Sequence, residues 1–67
     1  MYKWHAIQST TECCTDENNK IVGEVIMDAS RVKATAYLTG QGILGVYLGM
    51  LSAKKAVENA LREEEIE

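Results

Sequence analysis

Proline and phenylalanine are absent from this 67-residue chain, aromatic residues make up only 6% of it, and there is one histidine. Turns must therefore be read from glycine and from polar clusters. The two cysteines, Cys13 and Cys14, are neighbours. A bond between adjacent residues closes a strained small ring and staples no distant segments, so a disulfide scaffold is excluded and free thiols in a reducing compartment are expected. Long hydrophobic runs are also missing. The longest, Ile43 to Leu51, is interrupted by Gly45 and Gly49, whereas a helix needs about twenty apolar residues to cross a bilayer. The start, Met1-Tyr2-Lys3-Trp4-His5, leads into no secretory signal. The chain reads as a small open reading frame expressed in a cytoplasm, with no membrane role.

Basic charge is scarce too. Ten acidic against seven basic residues leave a net charge of −3, which argues against a surface devoted throughout to nucleic acid or anionic lipid. What the chain does have is apolar content, at 46%, enough with so small a charge to favour folding over disorder. A chain of this length buries only about 60% of the surface its unfolded form exposes. One domain spanning residues 1–67, with one thin core and no enclosed substrate pocket, is the expectation.

Periodicity gives the architecture. Residues 1–8 alternate, with Tyr2, Trp4 and Ala6 on one side and Lys3, His5 and Ile7 on the other. Residues 9–19 are rich in Thr, Asp, Glu and Asn and read as a polar loop holding the cysteine pair. A second strand starts at Lys20, with Gly23, Val25 and Met27 on one face and Glu24 and Ile26 on the other. The third has the clearest period of two: Val32, Ala34, Ala36 and Leu38 inward, Arg31, Lys33, Thr35, Tyr37 and Thr39 outward. After a Gly40-Gln41-Gly42 turn, a fourth run places Leu44, Val46 and Leu48 inward and Gly45 and Tyr47 outward.

From Gly49 the period becomes 3.6. Met50, Ala53, Ala56, Val57, Ala60 and Leu61 form an apolar stripe on a helix over 49–64, capped by Gly49 or Ser52. Its charges oppose the helix dipole, with Lys54 and Lys55 early and Glu63, Glu64 and Glu65 late, so they are either unselected surface or face a partner. A single helix from Ile43 to Glu64 competes with the fourth strand, but it would hold Gly45 and Gly49 inside at about 1 kcal/mol each. The fold class is α+β: a four-stranded antiparallel meander with one amphipathic helix covering one face.

The order Trp4, Gly23-Glu24-Val25, Ala34 to Leu38, Leu44-Gly45-Val46-Tyr47 and Ala53-Lys54-Lys55-Ala56-Val57-Glu58 resembles small phage-encoded accessory proteins of ββββα build. The likeness covers most of residues 20 to 61 and consists of core and turn positions. It implies a phage or prophage origin and a protein that binds and disables a host or immune-system protein in the host cytoplasm, as anti-CRISPR proteins do. It brings no functional residues with it.

Sites of chemistry are sparse. Gly40, Gly42 and Gly45 have dinucleotide-motif spacing but lack the βαβ context, so they read as hairpin glycines. Adjacent Cys13 and Cys14 with His5 make a poor tetrahedral zinc set, and a thiol nucleophile has no second histidine to call on. No catalytic residue, metal or cofactor is expected. The open sheet face is the better candidate: Arg31, Lys33, Tyr37 and Tyr47 for a protein partner, since tyrosine and arginine are enriched at interface hot spots. Acidic Glu63, Glu64 and Glu65 are the second choice; with Glu67 and with Glu12, Asp16 and Glu17 of the loop they would act as a phosphate decoy on a basic groove. Two alternatives stand beside this inhibitor: a small single-stranded nucleic-acid binder using the same tyrosines and basic residues, and a self-associating structural protein whose edge strand pairs with its copy.

Overall fold

The computed structural model describes residues 2–66, with side chains through residue 63. Five strands rather than four precede the helix: β1 (Lys3–Gln8), β2 (Thr11–Thr15), β3 (Ile21–Met27), β4 (Lys33–Leu38), β5 (Gly42–Leu48) and α1 (Met50–Ile66). All pair antiparallel with their sequence neighbours in one sheet of order β1-β2-β3-β4-β5. The α+β class and the covering helix stand as expected. The polar loop over 9–19 does not: Ser9 and Thr10 form a turn and Thr11–Thr15 is a strand inside the sheet, between β1 and β3.

The missed strand has a simple cause. Thr11, Cys13 and Thr15 alternate with Glu12 and Cys14, and cysteine behaves as a small hydrophobe when it is not reactive. Cys14 is fully buried in the core and Cys13 nearly so. They are free thiols, but they are not on a solvated loop.

Each connection is built by short polar residues. Between β2 and β3, the Asp16 carboxylate accepts from the backbone N–H groups of Asn18 and Lys20 at 2.8 and 3.0 Å, and Asn19 adopts φ 62°. Asparagine tolerates that left-handed conformation better than most residues. Between β3 and β4, Ser30 Oγ donates to Asp28 Oδ1 at 2.7 Å and the Arg31 N–H bonds the Asp28 carbonyl. Arg31 sits at φ 62° in this turn, so it is not the outward-facing strand residue that its alternation implied. Gly49, at φ 86°, turns the chain out of β5 into α1, and its carbonyl accepts from the N–H of Ala53.

The core lies between α1 and one sheet face. Val25, Ala34, Ala36 and Leu38 from the sheet meet Ala53, Val57 and Leu61 from the helix, with Cys14 beside them. The sheet side is made of small residues, which lets the helix sit close. At Gly23 the approach is tightest: a Cβ there would lie 2.6 Å from Val57 Cγ1, closer than two carbons can sit.

The early helical lysine also finds its reason. Lys54 Nζ is 2.6 Å from Glu12 Oε1 and 5.5 Å from the centroid of the Trp4 ring, while Trp4 Nε1 donates to Glu58 Oε2 at 3.0 Å. These long side chains tie the helix to β1 and β2. Lys54 therefore faces the chain's own sheet, and the unfavourable dipole position is offset by an ion pair and a cation–π contact.

Candidate docking face

With the helix on one side of the sheet, the other side is open, and the ladder register decides what it shows. Residues paired across antiparallel strands share a face. Cys13 pairs Glu24, Glu24 pairs Tyr37 and Tyr37 pairs Ile43, which makes one row. The next runs from Thr11 through Ile26 and Thr35 to Val46, and beyond it Lys33 lies opposite Leu48. His5, paired with Cys13, extends the first row onto β1, and its Nε2 lies 2.9 Å from Thr15 Oγ1.

One irregularity reassigns a predicted residue. The register between β4 and β5 shifts between Ala36–Gly45 and Tyr37–Ile43, so Leu44 is an extra, bulged residue. One inserted residue swaps the faces of everything beyond it. Tyr47, opposite buried Ala34, therefore lies on the helix side, packed against the core with its ring over Gly45. Val46 and Leu48, expected inside, are 59% and 71% exposed. Gly45 was the available signal, because a glycine inside a strand marks a bulge or a close approach. Both apply here: a Cβ at Gly45 would lie 3.1 Å from the Tyr47 hydroxyl.

The predicted contact residues thus divide. Tyr37 and Lys33 are on the open face, half-buried and exposed respectively. Arg31 is exposed at the β3–β4 turn, at the rim, and Tyr47 is on the opposite side of the sheet. Glu63 is exposed on the last turns of α1, far from this face in the layering, and the side chains of Glu64 and Glu65 lie outside the described residues. The loop acids have structural partners: Glu12 pairs with Lys54, and Asp16 closes its turn.

The residues missed are aliphatic. Ile26, Ile43, Val46 and Leu48 are all exposed on the open face, Ile43 at 64%. Val32 and Leu51 are also exposed. They flank the end of β5, where the Gly49 N–H bonds the Val32 carbonyl. Ile43, Val46 and Leu48 follow one another along the open side of β5, and Ile26 lies in the row of Val46 with Thr35 between them, on a chain whose whole accessible area is 4618 Å². Scattered exposed aliphatics need no explanation, but a contiguous patch marks an interaction surface.

Two shallow clefts, of about 240 and 270 Å³, adjoin the Asp16 turn, one lined by Lys20, Val22, Thr39 and Leu61 and the other by Lys3, Glu17 and Asn19. Among the described residues no three His, Cys, Asp or Glu side chains are grouped to hold a metal ion, and no helix is long and apolar enough to cross a membrane. The Cys14 thiol is pushed up to about 11 by burial, then by the Glu58 carboxylate and by Cys13, which is opposite to what a reactive thiol needs. Comparison with protein-family models, curated proteins and solved structures gives no significant match.

Proposed function

We propose that this chain is a non-catalytic binding domain that acts by covering a surface of another protein with the open face of its sheet. The observation that carries the reading is the exposed aliphatic patch of Ile26, Ile43, Val46 and Leu48 around half-buried Tyr37, on the face the helix leaves bare. Lys33 and Arg31 at one end and Glu24 within the row supply polar contacts that set orientation, the usual arrangement of an apolar centre with a charged rim. A host or defence-system protein as the partner, disabled by occlusion in the host cytoplasm, follows from the resemblance to phage accessory proteins.

The same geometry weakens the nucleic-acid alternative. Sheet surfaces that hold single strands stack several bases on aromatic rings. With Tyr47 behind the sheet, Tyr37 is the one tyrosine on the open face among the described residues, and it lies between Glu24, whose carboxylate would repel phosphate, and aliphatic Ile43.

Affinity recovery from host cells tests the reading. Wild type and Lys55→Glu, altered on the exposed side of the helix, should recover the same protein in near-equal molar amount. Ile26→Asp should lose it while keeping the wild-type circular dichroism spectrum. Recovery that survives Ile26→Asp, or that fails with Lys55→Glu, counts against the open face.

A further inference from the structure

The edge of β5 carries a second, separate property: its outward backbone groups have no partner among the described residues and are self-complementary. The Gly49 N–H donates to the Val32 carbonyl at 2.9 Å, which fixes the phase of the ladder. Backbone groups alternate in direction along an antiparallel strand, so Tyr47 and Gly45 bond inward to β4, while Val46 and Leu48 turn both N–H and C=O to the free edge. Nothing from 42 to 48 is charged. The other edge, β1, is different: it carries Lys3 and His5 and a register break after Ala6, devices that protect edges from pairing. β5 has a bulge at Leu44 but no charge or proline beyond it.

We propose that two copies of this chain pair through β5, antiparallel about a two-fold axis at Tyr47, joining two five-stranded sheets into one of ten strands. In that register Val46 of one copy lies opposite Leu48 of the other, and each pair exchanges two backbone hydrogen bonds. The alternative centre, at Val46, would set Leu48 against bulged Leu44, whose backbone no longer keeps the alternation. Val46 and Leu48 also meet side by side on the open face, where cross-strand aliphatic pairs are favourable. Exposed Leu51 and Val32 sit next to the end of the seam. Stable interfaces cover about 800 Å² per partner, roughly a sixth of the 4618 Å² here. A seam three residues long, Val46 to Leu48, covers less, so the dimer is a weak, concentration-dependent one. The proposal rests on the edge backbone and not on the partner-binding reading, and each stands if the other fails.

Sedimentation equilibrium of the full chain tests it. The mass should rise from 7.4 kDa toward two chains as concentration goes from about 1 µM to about 1 mM, the range in which small interfaces assemble. Val46→Pro removes one outward N–H and no ladder bond, since edge strands accept proline where the N–H faces solvent. It should stay at the monomer mass. Val46→Thr, which keeps the N–H, and Ile26→Asp, two strands from the edge, should behave as wild type. If Val46→Pro fails to fold, amide exchange on wild type decides: Val46 and Leu48 N–H should slow at least tenfold at high concentration, and no slowing overturns the proposal. A wild type that stays monomeric, or a Val46→Pro that assembles as wild type does, also overturns it.

Discussion

Replacing Gly23 by alanine tests the packing of this fold at its narrowest point. The new Cβ would lie 2.6 Å from Val57 Cγ1 and 3.2 Å from the Tyr37 carbonyl oxygen. A relaxed carbon–carbon contact needs about 3.5 to 4.0 Å, so roughly 1 Å must be found. Val57 is fully buried on the helix, and a β-branched side chain in a helix holds one χ1 rotamer. It cannot swing aside, so the helix must lift or the strand bend. Overpacking of this kind costs about 1–3 kcal/mol. Gly23 has no positive φ, so alanine also gains about 0.4–1 kcal/mol by restricting the unfolded chain. The net loss should be about 1–2 kcal/mol, a large share of the roughly 3–10 kcal/mol expected for 67 residues.

A double-mutant cycle isolates the cause. Val57→Ala alone removes two buried methyl groups and should cost about 1.5–3 kcal/mol by transfer and cavity terms. In Gly23→Ala/Val57→Ala the new methyl enters the space just vacated, so the pair should lose about 1–2 kcal/mol less than the sum of the singles. Urea unfolding followed by circular dichroism reads this directly, as does melting temperature at about 4–8 °C per kcal/mol for a domain of this size. Strict additivity, or a Gly23→Ala as stable as wild type, would refute the claim that helix and sheet touch here.

Three further outcomes follow from the same geometry. Tyr47→Ala should lower the melting temperature by about 5 °C or more, since it strips a half-buried ring from the helix side, whereas Tyr37→Ala should cost stability little and partner binding much; the reverse pattern would place the bulge wrongly. In a cycle of Glu12→Gln and Lys54→Met, partly buried as the ion pair is, the coupling should be about 0.5–1 kcal/mol and shrink in 1 M salt, as paired surface charges do. For Cys14, whose folded thiol sits at about 11 against an ordinary 9.0, the raised value keeps its stabilising contribution whole below pH 9 and loses it as pH rises through 11. The melting temperature of Cys14→Ala should therefore fall less than that of wild type over that window, and the wild-type thiol should be near a hundredfold less ionised than a free one at pH 8; rapid labelling by a thiol reagent in the folded state would contradict this.

How far the sequence alone reached depends on what each element's pattern had to resolve. The helix was legible because Ala53, Val57 and Leu61 repeat at one spacing, and all three are buried. β4 was legible because Ala34, Ala36 and Leu38 alternate without interruption. β2 was not, since Thr-Glu-Cys-Cys-Thr looks polar until its cysteines are counted as core. β5 was seen as a strand but placed with its faces reversed beyond the bulge. Residue-by-residue alternation carries no sign of an inserted residue, and a single one at Leu44 exchanged Tyr47 with Val46 and Leu48. That exchange moved the candidate site from tyrosine and arginine to an aliphatic surface, with Tyr37 and Lys33 the predicted members that stayed.

On the proposed function, the bare face of the sheet, and not the helix, meets a partner. A photoactivatable phenylalanine analogue placed singly at positions 26, 37, 55 and 59 measures this within cells that express the chain, because cross-linking reports only what lies within a few ångströms of the introduced ring. Positions 26 and 37 should yield one and the same covalent adduct, and positions 55 and 59, exposed on α1, should yield none. An adduct formed from the helix positions and absent from the sheet positions would contradict the account.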